Sequence, residues 1–132
     1  MRITSIHERS RYVEAVLGGT FSTEHLAEIR KDLARATTKK KASRLLINAL
    51  PVSGPPPSTL GRYQFVHVLV GLPRSLKIAA AIPPELIDPH RFGETVARNR
   101  GVAVRAFEDL EQSITWLLSK KENPSPGKPN QH

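Results

Sequence analysis

Two short, predominantly apolar runs constrain the fold of this chain most strongly. They occupy residues 45–50 and 76–82, and each is followed by a proline-rich segment, at 51–57 and at 83–84. Runs of this length between breaker residues are typical of strands that are covered on both faces of a sheet. The chain is therefore expected to build its core around buried strands.

Segments with helical periodicity separate these runs. Residues 23–37 carry Leu26, Ile29 and Leu33 at helical spacing, and Ser22 stands where an N-cap would be. With that cap, Phe21 and Leu26 would form a hydrophobic staple. The pattern predicts a helix over 23–37.

The carboxy-terminal half also alternates between helical segments and apolar runs. Asp88 as N-cap, a proline at the next position and Gly101 as a stop predict a helix over 89–100. Residues 102–107 form a third apolar run, and residues 110–118 carry leucines and isoleucine on one helical face. Residues 59–72 fit either a helix or a strand, and the Ser58-Thr59 pair at their start favours a helix.

The amino-terminal segment predicts a hairpin, because residues 3–7 and 12–17 both alternate at period two. The resulting order is ββαβαβαβα. It predicts an α/β fold with a five-stranded, mostly parallel sheet, an antiparallel edge strand and about four helices. The domain is expected to span 1–119, and the polar composition of 120–132 predicts a disordered basic tail.

Length and composition bound the protein class. The 132 residues fit one domain, and the chain has no cysteine. It has no apolar run of about 18 residues and no secretory pattern at the start, so a cytoplasmic protein without a membrane span is expected.

A net charge of +8 is concentrated in residues 30–44. The candidate anion patch consists of Arg35, Lys39, Lys40 and Lys41. Cations at a helix end also offset the helix dipole, which explains such a cluster without a ligand. Aromatic residues make up only 5%, so nucleic-acid binding through 30–44 is disfavoured but is kept as an alternative.

Catalytic patterns are absent from the sequence. The five histidines lack metal-ligand spacing, and no G-x-S-x-G elbow or phosphate-binding glycine motif is present. We therefore predict no catalytic residue, no metal and no cofactor, and a protein that is not an enzyme.

The loop at 51–57 and the helix start after it form the candidate site. Ser58 and Thr59 are read either as a plain helix cap or as a phosphoacceptor, since a phosphate at a helix start meets free N–H groups and the positive end of the dipole. The apolar stretch that follows is read either as buried or as a surface for a homodimer, a protein partner or a lipid. The candidate partner surface comprises Pro57, Leu60, Arg62, Tyr63, Phe65 and Val68.

Three stretches resemble the STAS domain, and in particular the small bacterial proteins built like the sporulation anti-sigma-factor antagonist. They are residues 45–61 with the Ser58-Thr59 pair, residues 80–86 together with 91–97, and residues 104–111. The resemblance covers about residues 2–119. Pro57 precedes the hydroxyl pair, where the family usually has an acidic residue.

The resemblance implies a non-enzymatic regulatory domain that binds a protein through residues 53–66. In that family a serine at the matching helix start is phosphorylated, which controls binding to an anti-sigma factor. Related domains use the same surface for apolar or anionic ligands, so a carrier or sensor of a small ligand such as a lipid is the first alternative.

Overall fold

A computed structural model describes residues 1–87 and 92–119 of the chain. Its strands are β1 (Arg2–Glu8), β2 (Val13–Thr20), β3 (Arg44–Asn48), β4 (Val52–Ser53), β5 (Lys77–Ala81) and β6 (Ala103–Phe107). Its helices are α1 (Leu26–Lys40), α2 (Thr59–Val70), α3 (Phe92–Asn99) and α4 (Leu110–Leu118), with a 3-10 turn at Pro84–Leu86.

The sheet has the order β1-β2-β3-β5-β6, and only the β1–β2 pair is antiparallel. This confirms the predicted parallel sheet with an antiparallel edge strand and four helices. The number of strands is six instead of the predicted five, because the two-residue strand β4 pairs with the end of β2. Two residues between a bend and a proline loop carry no periodicity, so the sequence did not indicate this strand.

The sheet lies between two helical layers. Alternate strand residues such as Leu45 and Ile47 join the larger core with α1, α2 and α3. Leu46 and Ala79 face the other way and pack with Leu117 of α4. Burial on both faces explains why these strands are apolar at nearly every position.

The start of α1 differs from the prediction. The helix begins at Leu26, and its N-cap His25 makes no side-chain cap hydrogen bond. The hydroxyl of Ser22 instead accepts a hydrogen bond from the Met1 amine at 3.2 Å. The predicted Ser22 cap and staple are therefore wrong, because a long-range partner takes the side chain that would have capped the helix.

The helix after β5 agrees with its predicted end. The Gly101 N–H donates to the carbonyl of Arg98 at 2.9 Å, with a φ of 81° at Gly101. The predicted cap at Asp88-Pro89 and the predicted tail at 120–132 lie outside the described residues.

A fully buried lysine ties α4 to the sheet. Nζ of Lys77 donates to the carbonyl of Trp116 at 2.7 Å and lies 4.4 Å from the centre of the Trp116 ring. Nε of Arg44 donates to the carbonyl of Leu117 at 2.8 Å. These cations satisfy carbonyls at the end of α4 and complement its dipole.

Candidate functional site

The predicted helix start at Ser58 is present. Ser58 has an extended backbone, and its hydroxyl accepts a hydrogen bond from the Gly61 N–H at 3.0 Å. Thr59, the first residue of α2, is exposed. The Ser58 hydroxyl thus caps the helix, while the Thr59 side chain lies beside it at the surface.

The first turn of α2 sits close to the segment after β2. A Cβ built on Gly61 would meet the Phe21 ring and the Ser58 hydroxyl, both at 3.3 Å. The Phe21 ring also packs edge-on against Phe65, with 6.4 Å between ring centres. Glycine at position 61 therefore lets the helix start approach Phe21 closely.

The loop before Ser58 is held by the short strand β4. Gly19 and Thr20 of β2 pair with Val52 and Ser53, and the Phe21 N–H donates to the carbonyl of Ser53 at 3.1 Å. This pairing fixes where the proline segment leaves the sheet and where α2 begins.

A cavity of about 500 Å³ lies between the sheet and helices α2 and α3. This volume is within the usual range for small-molecule sites, about 300–1,000 Å³. Small side chains surround it where larger ones would fill the space; they are Ala49, Ala80, Ala97 and Ala106. Phe65, Leu69, Ile82 and Val104 supply the larger apolar walls.

Few polar side chains of the described residues line this cavity. They belong to Thr59, Arg62, Tyr63 and Glu94. Oε2 of Glu94 accepts a hydrogen bond from the Ala106 N–H at 2.7 Å, which anchors the carboxylate to the edge strand β6. Nε of Arg62 is buried, and it has no hydrogen-bond partner among the described residues.

The predicted partner surface divides into exposed and buried members. Leu60 is 65% exposed, while Pro57, Arg62, Tyr63 and Phe65 are half-buried. Val68 is only 6% exposed and belongs to the larger core. Val68 is thus not available at a surface, because this side of α2 packs on the sheet.

The candidate anion patch lies away from this site. Arg35, Lys39, Lys40 and Lys41 are exposed near the end of α1, just before β3 begins. Residues 53–66 follow β3, so the two regions are associated with opposite ends of this strand. Lys40 is also 3.3 Å from Glu8, and Arg35 is 3.6 Å from Asp32.

A buried carboxylate, which the sequence analysis missed, lies on the α4 side of β2. The Glu14 side chain is 9% exposed and accepts hydrogen bonds from Arg9 at 2.8 Å and Asn48 at 3.1 Å. Burial alone would raise the pKa of Glu14, but the hydrogen bonds from Arg9 and Asn48 and the Arg9 charge outweigh it and lower the pKa. Its neighbours Val13 and Ala15 belong to the core that contains α2, so Glu14 is on the opposite face from the cavity.

Two further properties concern the described part of the chain. Within it, no group of three or more His, Asp or Glu side chains is arranged to hold a metal ion. No helix within residues 1–87 or 92–119 has the length and apolar character needed to cross a membrane.

Comparison with known proteins identifies the fold. No family model and no curated protein matches the chain. An anti-sigma factor antagonist from Mycobacterium paratuberculosis superposes with a TM-score of 0.58 at 10% identity, over 86% of this chain and 91% of that protein. The unphosphorylated anti-sigma factor antagonist SpoIIAA gives a TM-score of 0.54 at 16% identity, over 88% of this chain and 98% of the other.

A third similar structure is an uncharacterised DUF3478 protein with a SpoIIAA-like fold from Shewanella loihica. It gives a TM-score of 0.51 at 18% identity, over 86% of this chain and 92% of that protein. The chain therefore has the STAS-like, SpoIIAA-like fold that the sequence predicted. At these identities the likeness concerns the fold alone.

Proposed function

We propose that this chain is a non-enzymatic, cytoplasmic regulatory domain that binds a protein partner through residues 53–66, the 53–66 surface. The observation that carries the proposal is the exposure of Leu60. It is 65% exposed in the first turn of α2, and the other exposed large apolar side chain in the described residues, Ile6, is 38% exposed. Leu60 lies one helical turn from half-buried Tyr63, and tyrosine is enriched among the residues that dominate binding energy at interfaces.

The fold is consistent with this role. Two of the similar structures are anti-sigma factor antagonists. In this chain the corresponding helix start presents a hydroxyl pair, Ser58 and Thr59, next to Leu60. A protein that docks on Leu60 would also cover that pair.

The regulatory step we propose is phosphorylation of Ser58 or Thr59. A phosphate would add about −1.5 to −2 charge beside Leu60 and disfavour an apolar partner, while the α2 N–H groups and Arg62 could bind it. Thr59 is the more accessible acceptor, since the Ser58 hydroxyl accepts the Gly61 N–H.

The binding proposal is tested by affinity capture of the partner, followed by quantitative binding to the purified partner. Leu60→Glu should weaken the complex at least tenfold, whereas Ile6→Glu, the matched exposed position on β1, should leave it unchanged. Equal binding by Leu60→Glu and wild type would reject the 53–66 surface.

The switch is tested separately. Replacing Ser58 and Thr59 together by Asp should keep the fold and weaken the complex, and replacing both by Ala should retain binding. If the two double variants bind the partner equally well, Ser58 and Thr59 act only as a helix start.

Self-association through residues 63–72 is a further prediction. Burial of Val68 and Leu69 reduces the apolar area that this segment offers, which leaves half-buried Tyr63 and Phe65 to make the contact. Light scattering at high concentration, with Tyr63→Glu as the comparison, measures the self-association. A strict monomer would contradict a homodimer.

A second candidate function is supported by the cavity. We propose that the domain carries or senses a small apolar ligand in the 500 Å³ space beneath α2 and α3. Native mass spectrometry of the purified protein should reveal a co-purified small molecule, or titration with alkyl probes should give saturable binding. Failure of every alkyl probe to bind would reject this second function.

Binding through the basic segment 30–44 is the weakest alternative. Its exposed cations at the end of α1 would bind nucleic acid with a steep dependence on salt. A mobility-shift assay that shows no nucleic-acid binding at low salt would exclude this alternative.

A further inference from the structure

Arg62 is a cation at the wall of the cavity, and no described ion pair includes it. It lies on the first turns of α2, its backbone N–H donates to the carbonyl of Ser58 at 3.0 Å, and its half-buried side chain lines the cavity. Its Nε is buried and donates no hydrogen bond to any described residue. Nε is thus enclosed by protein atoms, so an anion in the cavity would bind the terminal Nη atoms of Arg62.

The chain does not supply the missing anion from the described residues. The carboxylate that lines the same cavity, Glu94, accepts the Ala106 N–H at 2.7 Å. None of the ion pairs among the described residues includes Arg62. Arg62 therefore lies at the wall of an apolar space, and no described anion neutralises it.

The walls of the cavity define the rest of the ligand. Alanines from β5, β6 and α3 leave the space open, and Phe65, Leu69 and Ile82 surround it with apolar surface. An apolar chain gains by leaving water for such a space. A guanidinium binds carboxylate or phosphate oxygens in a fork-like pair of hydrogen bonds.

We propose that the cavity binds a single-chain anionic amphiphile, with its acidic head on Arg62 and its alkyl chain against the alanine-lined walls. This rests on the second candidate function, ligand binding in the cavity, and names the chemical class of the ligand. The shared chemistry is one anionic head on one apolar chain, as in a fatty acid or an alkyl phosphate. The net charge of +8 favours the approach of such a ligand.

The test uses the full chain and four probes with the same alkyl group, at concentrations below micelle formation. The probes are dodecanoate, dodecyl phosphate, dodecanol and dodecyltrimethylammonium, measured by isothermal titration calorimetry. At least one anionic probe should bind about tenfold tighter than dodecanol, which corresponds to ~1.4 kcal/mol. The cationic probe should bind most weakly.

Two pairs of variants test where the acidic head and the alkyl chain of the ligand bind. Arg62→Met should remove the advantage of the anionic probe over dodecanol, whereas Arg74→Met, at an exposed arginine just after α2, should retain it. Ala106→Leu should weaken binding of all probes by filling the cavity. Ala103→Leu, on the same strand but outside the cavity lining, is the matched control.

A spectroscopic measurement on the wild type covers the case in which a variant fails to fold. The Nε–H signal of Arg62 in a ¹H–¹⁵N spectrum should shift on addition of dodecanoate or dodecyl phosphate and stay unchanged with dodecanol. An unshifted Arg62 signal, or equal affinity for the anionic and neutral probes, would overturn the head-group assignment while leaving the cavity function intact. Absence of binding by all four probes would instead reject both the head-group assignment and ligand binding in the cavity.

Discussion

Replacement of Gly54 by alanine tests how the site is held in place. Gly54 directly follows β4 and has a φ of 102°, a region that L-residues rarely adopt. A Cβ at this position would lie 2.7 Å from Cγ2 of Thr20, the last residue of β2. The substitution therefore strains the backbone and the contact that connects β2 to the loop before Ser58.

The expected cost has three parts. A left-handed backbone costs an alanine about 1–2 kcal/mol, and the lower entropy of the unfolded alanine variant returns about 0.4–1 kcal/mol. Because Thr20 is exposed, it relieves the clash by rotating away from its preferred rotamer, at about 0.5–1.5 kcal/mol. The sum predicts a loss of about 2 kcal/mol in the free energy of unfolding.

Gly101 provides the matched control. Its φ is 81°, and a Cβ there would meet no atom within 4 Å. Gly101→Ala should therefore lower the free energy of unfolding only by the net cost of the backbone strain, about 1 kcal/mol. Adding Thr20→Ser to Gly54→Ala removes the clashing methyl group and should recover about 1 kcal/mol.

Urea denaturation followed by far-UV circular dichroism measures these differences. The double-mutant cycle between Thr20 and Gly54 isolates the contact from the backbone strain. If Gly54→Ala costs no more than Gly101→Ala, or if Thr20→Ser recovers nothing, the described approach of β4 to the end of β2 is not what limits this position.

Three other perturbations have defined outcomes. Ser58→Ala should lower the free energy of unfolding by about 1 kcal/mol, because the helix loses its cap. Thr59→Ala should change it by less than about 0.5 kcal/mol. Equal effects of the two variants in urea denaturation would contradict the role of Ser58 as the cap. The lowered pKa of Glu14 contributes stability above the unfolded carboxyl pKa, and this contribution is lost as the pH falls through the folded pKa. The loss in the free energy of unfolding caused by Glu14→Gln should therefore be largest near neutral pH and shrink in acid. Glu8→Gln, at a half-exposed carboxylate, is the control. A loss from Glu14→Gln that does not change with pH would contradict this linkage. Truncation after Lys121 should leave the melting temperature within about 4 °C, and a larger drop in a thermal scan would show that the tail contributes to folding.

Local rules account for the elements that were predicted correctly. The runs at 45–50 and 76–82 became β3 and β5 because strands buried on both faces need mostly apolar side chains, and the buried Lys77 at the start of β5 is matched by carbonyls of α4. Ser58 became the cap of α2 because its hydroxyl reaches an N–H only three residues away. Both outcomes depend on neighbours in the sequence.

The errors arose where distant residues compete. Ser22 was a suitable cap by type, but the Met1 amine binds its hydroxyl and α1 begins four residues later. Val52 and Ser53 form a strand only because the end of β2 lies beside them. Val68 was assigned to a surface because α2 is apolar on most faces, so the sequence could not tell which face packs on the sheet.

The sequence by itself determined the class of fold, the antiparallel edge hairpin and the capped start of α2, since periodicity and capping act within a few residues. Only the tertiary structure decided the cavity and the setting of Arg62. The cavity exists because alanines from β5, β6 and α3, far apart in the chain, meet under α2 and leave a space that no single segment encodes. Arg62 is an ordinary cation in the sequence and becomes a candidate ligand-binding group only because packing places it at the wall of this apolar cavity without a described anion beside it.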